Sequence, residues 1–268
     1  MIVLDNTYDI RTPESAYNTL KNITGITPDI WAEYVCKDYK YKNITDMISD
    51  ILEHHMHRKI RYDNFDFIFS HITTSANECN SFKKYGILNL QDSYMCYESE
   101  LRDFLNNADI FIDINNGILT YKDRQFDISY GDKPFTNSTE RLCWYIGYKF
   151  YHDQAICGFL NIDDNPYLGQ VHRRPEILFN IDNLLNTNLS YQWQKTHFPY
   201  EIVVKIHGDK TRYNYEQTDT EDEKVINMLE IAFNAAFHTV IDQYIILNDE
   251  VTVPPSNIIE INPFTKWR

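Results

Sequence analysis

The sequence lacks several features that would define a protein class at once. It has no run of eighteen apolar residues, the length that a membrane-spanning helix requires. Only 8 of its 268 residues are glycine, and no Walker loop, GxGxxG or GxSxG motif occurs, so neither a glycine-rich phosphate cradle nor a nucleophile elbow is expected. The five cysteines form no CxxC pair, which argues against a disulfide framework and against a thiolate zinc site.

Basic residues are also scarce. Lysine and arginine total 25 against 39 aspartates and glutamates, which gives a net charge of −14. Such a surface repels phosphate backbones, so non-specific nucleic-acid binding is disfavoured. The first fifteen residues carry Asp5 and Asp9 and lack a basic start followed by a long apolar core, so no secretory signal is predicted. Together with the unpaired cysteines, these features predict a cytoplasmic protein without a membrane partner.

What the chain does contain is enough apolar and aromatic surface to build a large core. It is 43% hydrophobic, with 20 tyrosines and 15 phenylalanines. Helical patterns come first, and strands then alternate irregularly with helices. This order predicts an α+β fold rather than a doubly wound parallel sheet. We expect a helical N-terminal unit at 1–62 and an α+β domain at 63–268, without a glycine- or proline-rich linker between them.

Local signals place the individual elements. Thr12 and Thr27 each precede a proline, which is typical of a capped helix start. Asn116-Gly117 predicts a tight hairpin turn within paired strands at 110–131. Further helices are predicted near 45–58, 97–107, 138–151, 174–186 and 220–241, and further strands at 200–206, in QYIILND and in SNIIEINPF.

The segment FDFIFSHI (65–72) alternates aromatic with other residues and is predicted to be a strand. Ser75 and Glu78 have the spacing of a capping box, so a helix is predicted to start there, and Gly86 is predicted to close it. His71 and Thr73 then fall at the end of the strand, where a ring and a hydroxyl can face a ligand. The alternative interpretation is that His71 is a partly buried scaffold residue and that only the cap matters.

Two other groups of polar residues deserve a functional interpretation. Arg173 and Arg174 are adjacent guanidinium groups in an acidic chain, a pattern that suits a pyrophosphate or another anion. The alternative is that they pair with surface carboxylates beside a helix that starts at Pro175. His54 and His57 share a helix face, but HExxH spacing is absent, so no metal site is predicted.

The strand, the HxT pattern of His71-Ile72-Thr73 and the following segment up to Gly86 resemble the opening of ADP-ribosyltransferases of the diphtheria-toxin and poly(ADP-ribose) polymerase branch. DQYIILND (242–249), followed by VTVPPSNIIEINPF, resembles the end of that domain, with Gln243 at the position of its catalytic glutamate. The resemblance covers about 65–90 and 238–264. It implies a split mixed sheet with helical insertions, preceded by the helical N-terminal unit.

The resemblance also implies a set of roles toward NAD, which is consumed as a substrate. His71 and Thr73 would bind ribose hydroxyls, the backbone of Ile72 would hold the nicotinamide amide, and a tyrosine would stack on the nicotinamide ring. Tyr130 is the favoured tyrosine and Tyr148 the alternative. Arg173 and Arg174 would suit the pyrophosphate. Breaking the bond between nicotinamide and ribose builds positive charge on the sugar, which the enzyme must stabilise.

Gln243 departs from the family pattern, because an amide bonds a hydroxyl but cannot accept a proton as a general base. Three alternatives stay open: transfer of a single ADP-ribose with a base from elsewhere, Asp242 or Glu250 being nearest; another use of NAD; or a non-catalytic partner-binding protein on a degenerate scaffold. An active enzyme would transfer ADP-ribose to a protein or nucleic-acid acceptor. Because free activity would damage its own cell, we expect an inhibitory partner protein and a role as a toxin or anti-phage effector.

Overall fold

The described part of the protein is α+β, as predicted. It contains ten α-helices, a seven-stranded sheet and a separate three-stranded sheet. None of the described helices combines the length and the apolar character that a membrane crossing demands. A computed structural model of the chain describes residues 6–36, 40–55, 60–129, 131, 136–162, 170–212, 220–238 and 243–266.

The first two helices begin at the predicted Thr-Pro pairs. At the first, the Thr12 hydroxyl accepts from the backbone N–H of Ser15 at 3.1 Å, and the Ser15 hydroxyl accepts from the backbone N–H of Thr12 at 3.0 Å. Thr27 precedes the second helix, but its hydroxyl makes no capping hydrogen bond. The α-helices are α1 (Pro13–Thr24), α2 (Pro28–Val35), α3 (Ile44–His55), α4 (Asn80–Tyr85), α5 (Leu90–Met95), α6 (Glu100–Asn107), α7 (Ser138–Tyr151), α8 (Glu176–Leu185), α9 (Leu189–Gln194) and α10 (Glu221–Phe237).

The strands form two sheets of different size. They are β1 (Thr7–Tyr8), β2 (Asp66–Ser75), β3 (Ile110–Asp113), β4 (Ile118–Tyr121), β5 (Arg124–Asp127), β6 (Cys157–Asn161), β7 (Phe198–His207), β8 (Thr211–Arg212), β9 (Gln243–Leu247) and β10 (Ile258–Pro263). The larger sheet has the order β10-β7-β2-β6-β9-β8, and β1 pairs with β2 in parallel. The pairs β2–β6, β6–β9 and β8–β9 are antiparallel. The smaller sheet is the antiparallel meander β3-β4-β5.

The chain folds into two compact units. The first comprises Met1–Ser70, Cys157–Asp163 and Val203–Leu247, and the second comprises His71–Ile156, Asp164–Ile202 and Asn248–Arg268. In the first unit, the N-terminal helices α1 and α3 pack against α10. The predicted division near residue 62 stays a prediction.

The core of the first unit is dense and aromatic. Phe65, just before β2, and Phe67 on β2 are at most 1% exposed, and the Phe67 ring centroid lies 5.3 Å from those of Tyr8 and Tyr62. Gly158 on β6 is required by this packing, because a Cβ there would come within 2.2 Å of the Phe69 ring. The alternation seen in the sequence therefore reflects a strand that buries aromatic rings.

The second unit has its own core, between the three-stranded sheet and helices α6 to α9. The predicted hairpin exists, and Gly117 in its turn has a φ of +65°. The meander also has a third strand. The most deeply buried members of the core, at 2% exposure or less, are Leu105, Ile110, Leu119, Ile128, Ile146, Phe150, Ile177, Leu178, Ile181, Leu189 and Trp193.

The predicted helix start at Ser75 is wrong. Ser75 is the last residue of β2, and its hydroxyl accepts from the backbone N–H of Cys79 at 2.9 Å and donates to Glu100 at 2.8 Å. Glu78 has a left-handed φ of 58°, so it cannot continue a right-handed helix, and α4 begins only after Cys79. Gly86 does end α4, where an added Cβ would approach the carbonyl oxygen of Val253 to 1.9 Å.

Candidate functional site

The second half of β2 presents polar side chains. Successive residues of a strand point to opposite faces. His71 and Thr73 are half-buried and share one face, whereas Ile72 and Thr74 on the other face are buried. The HxT pattern therefore places an imidazole and a hydroxyl side by side, with spacing set by the pleat of the strand.

A cavity of about 270 Å³ lies within the second unit. Its wall includes His71, Ile72 and Thr73, and also Arg174, which precedes α8. Four of the five predicted NAD-binding residues thus line one cavity. Other residues of the wall are Thr74, Ser81, Phe82, Leu88, Leu90, Ser93, Cys96, Glu98, Ser99, Glu100, Leu101, Val171, Pro175, Glu176 and Trp193.

Trp193, a residue of the cavity wall, is held in place by a hydrogen bond and by two aromatic contacts. The Trp193 indole N–H donates to the Thr74 hydroxyl at 2.8 Å. The same indole stacks on the His197 ring with a centroid distance of 3.4 Å and an interplanar angle of 11°, and Phe104 packs against it edge-on. Burial lowers the pKa of His197, although Glu100 opposes this shift. Burial therefore favours the neutral form of the His197 ring.

Glu100 is a feature of the site that the sequence analysis missed. It lies in the first turn of α6, where an acidic residue is explained by the helix dipole alone. In the fold its carboxylate accepts from the Ser75 hydroxyl at 2.8 Å and from the backbone N–H of Ala76 at 2.7 Å. His197 Nε2 lies 3.4 Å from it. No local pattern connects these residues, because Ser75 and His197 are distant in sequence.

Arg174 is unusual among the charged residues of the wall. Its Nη1 atom is buried and has no hydrogen-bond partner among the described residues. Its guanidinium lies 4.9 Å from the ring centroid of Phe179, and burial lowers its pKa. A guanidinium desolvated in this way is stabilised by an anion that enters the cavity.

Arg173 differs from its neighbour. It is exposed, its Nε donates to His172 Nε2 at 3.2 Å, and it is not one of the residues that line the cavity. His172 is buried, and burial lowers its pKa, with a further contribution from Arg173. The structure thus separates the two arginines that the sequence analysis treated as a pair.

Gln243 belongs to the first unit. It is the first residue of β9, is half-buried, and pairs in register with Asn161 of β6. The Asn161 side chain donates to the backbone carbonyl of Ile10. Gln243 therefore starts a paired strand of the larger sheet, as its sequence pattern predicts, and its catalytic role stays a prediction.

The remaining candidates divide into two groups. Tyr130, Asp242 and His57 lie outside the described residues. Tyr148 lies on α7, where it stacks on Trp144 at a centroid distance of 5.3 Å, and it is not part of the cavity wall. Glu250 is exposed in a left-handed turn and is likewise absent from the wall.

The histidines of α3 lie in the first unit. His54 Nδ1 is 2.8 Å from the backbone carbonyl of Asp50, and His55 packs edge-on against Tyr34. Among the described residues, no group of three or more potential metal ligands comes together.

Comparisons of the chain with protein-family models, with curated proteins and with solved structures find no match.

Proposed function

We propose that the protein consumes NAD and transfers a single ADP-ribose to a macromolecular acceptor, on an ADP-ribosyltransferase-like fold. The main support is that His71, Ile72, Thr73 and Arg174 line one cavity. The α+β class agrees with the proposed fold. The volume, about 270 Å³, is near the lower end of the usual range for small-molecule sites, so the cavity would hold one end of the dinucleotide.

The chemistry requires few groups. The bond between ribose C1′ and the nicotinamide nitrogen breaks, and its electron pair neutralises the cationic ring nitrogen. A nucleophile on the acceptor, or water, then bonds to C1′ and releases a proton. His71 and Thr73 would hold the ribose hydroxyls, and Arg174 would bind the pyrophosphate. Fixed groups of this kind accelerate the step by orienting NAD before the charge develops.

The acidic surface favours a protein acceptor over a nucleic acid, since a net charge of −14 repels phosphates. A transferase of this type needs restraint in its own cell. We therefore propose an inhibitory partner protein and a role as a toxin or anti-phage effector.

The test is nicotinamide release from NAD by the purified chain, followed by transfer of label from adenylate-labelled NAD to a cell lysate. His71→Ala should reduce both activities by about 100-fold or more, because it removes a group that positions the ribose. His207→Ala is the matched control, since His207 is exposed on β7. If His71→Ala retains full activity, the cavity lined by His71 is not the NAD site.

A second candidate function is a non-catalytic regulatory protein on the same scaffold, which Gln243 favours because its amide cannot act as a base. The same assay separates the two. NAD binding without nicotinamide release or transfer, with any partner removed, supports the regulatory protein. Absence of both binding and turnover rules out the enzyme.

A further inference from the structure

The proposed reaction needs a negative charge beside the ribose, and Gln243 brings none. A carboxylate can stabilise the developing cation and take the proton of the attacking nucleophile, whereas an amide does neither well. Among the residues that the structure describes, three glutamates line the cavity that contains His71 and Thr73, and they are Glu98, Glu100 and Glu176. They differ in their charged partners and in their exposure to solvent, and these differences favour one of them as the catalytic carboxylate.

Glu98 and Glu176 each have a lysine partner. Lys84 Nζ lies 2.7 Å from a carboxylate oxygen of Glu98, and Lys149 Nζ lies 2.8 Å from one of Glu176 and 2.6 Å from one of Asp153, so that two carboxylates share this lysine. Both glutamates are also well hydrated, with 42% and 57% of their side-chain surfaces exposed. A carboxylate that is paired and solvated in this way exerts little field on a neighbouring substrate.

Glu100 has a different environment. Only 17% of its side chain is exposed, and its close partners are the Ser75 hydroxyl, the backbone N–H of Ala76 and the His197 ring, none of which is a lysine or an arginine. Burial lowers the pKa of His197 and so favours its neutral form, although Glu100 opposes this shift. The hydrogen bonds fix the carboxylate in place without cancelling its charge, and low hydration strengthens its field.

The position of Glu100 also fits the reaction. Its two hydrogen-bond donors are the last residue of β2 and the residue that follows it, so Glu100 is attached to the same strand that carries Thr73 and His71. Glu100 and Thr73 both line the cavity. A ribose bound by the strand would therefore lie beside a fixed negative charge.

We propose that Glu100 is the catalytic carboxylate of this site, in place of the glutamate that Gln243 replaces. This inference rests on the proposed function. As nicotinamide leaves with the bonding electron pair, Glu100 stabilises the positive charge on the ribose. It then accepts the proton of the nucleophile that bonds to C1′, and passes that proton to solvent.

The test compares three glutamine variants of the full chain in the nicotinamide-release assay. Glu100→Gln should lower kcat by about 100-fold or more while the affinity for NAD, measured by calorimetry, changes by less than about threefold. Glu98→Gln and Glu176→Gln remove carboxylates from the same cavity and should lower kcat by less than about threefold. A folded Glu100→Gln variant with kcat within threefold of the wild type overturns the inference, and so do controls that lose as much as Glu100→Gln.

Because Glu100 also ties down the end of β2, Glu100→Gln is checked by thermal unfolding. If it is unfolded at the assay temperature, Glu100→Asp decides the question. That variant keeps the negative charge, but its side chain is shorter by one methylene group, so the carboxylate lies farther from the ribose. A catalytic carboxylate displaced so far should lose tenfold or more in kcat per folded molecule, whereas a purely structural one should lose only thermal stability.

Failure of the proposed function is distinguishable from failure of this inference. Wild-type protein that neither binds nor cleaves NAD removes the basis of both, whereas active wild type with an active Glu100→Gln removes only the second. A further variant places a carboxylate at the alternative position. Adding Gln243→Glu to Glu100→Gln should leave kcat at least 100-fold below wild type, and recovery to within tenfold of wild type would assign the carboxylate role to position 243.

Discussion

The strand Asp66–Ser75 changes character halfway along its length. Phe67 and Phe69, in its first half, are at most 1% exposed and pack among other apolar groups. His71 and Thr73, in its second half, are half-buried and line a cavity. The two halves of this continuous strand therefore have different roles. The first half stabilises the fold by burying aromatic rings, whereas the second half stabilises it less because its polar side chains face a cavity.

The substitution with the largest expected effect on stability is Phe67→Ala, which tests whether the first half of the strand stabilises the fold. The ring contacts Tyr8, Phe65 and Tyr62, so its removal leaves a cavity in a rigid aromatic cluster. We expect the free energy of unfolding to fall by about 3–5 kcal/mol. Urea denaturation measures it, with Phe67→Leu as the control that fills more of the space and costs less. A loss below 1 kcal/mol for Phe67→Ala would show that the apolar half is not the stabilising one.

The second prediction concerns the cavity. Arg174→Met should weaken NAD binding by about 10- to 100-fold, because it removes a guanidinium whose buried Nη1 has no partner in the described part of the chain. Its effect on stability should be small, since the desolvation of this half-buried guanidinium opposes folding while its attraction to Asp182 and Glu176 favours it. Arg173→Met is the matched control on the neighbouring exposed residue and should leave affinity within about twofold. Calorimetry and urea denaturation separate the two effects, and equal losses of affinity in both variants would contradict the assignment.

The two arginines show which part of the site could be read from the sequence. Adjacent guanidinium groups are visible as a pattern, but which of them reaches a cavity depends on where α8 begins and what surrounds it. Helix starts at Thr12-Pro13 and the strand at 65–72 were predictable, because their signals lie within a few residues. The helix start predicted at Ser75 was wrong because β2 continues through Ser75 and the backbone turns left-handed at Glu78, and neither feature is visible in the spacing of Ser75 and Glu78.

The third prediction uses neighbouring threonines on opposite faces of β2. Both line the cavity, but the Thr74 hydroxyl is bonded to the Trp193 indole. Thr73→Val should raise the KM for NAD by about five- to tenfold, the value of one hydroxyl hydrogen bond, with little change in stability. Thr74→Val should do the reverse. It leaves the Trp193 indole N–H without its acceptor and should cost about 1–3 kcal/mol of stability. Steady-state kinetics and thermal unfolding of the two variants test this together, and identical phenotypes would remove the distinction between the two faces.

The smallest expected effect is a pH dependence of stability that arises from His197, the buried histidine stacked on Trp193. Burial lowers the pKa of His197, so between that value and the ordinary histidine value the unfolded chain binds more protons than the native protein. The free energy of unfolding should therefore fall as the pH drops below about 6.5, by at most about 1.4 kcal/mol per pH unit for one proton. His197→Gln should flatten this slope, leaving the part due to His172, whose pKa is also lowered by burial, and a part of opposite sign from His54, whose pKa is raised by Asp50. Phe67→Ala should displace the whole curve without changing its slope, since no titrating group is removed. An unchanged slope in His197→Gln would show that this ring is protonated equally in both states.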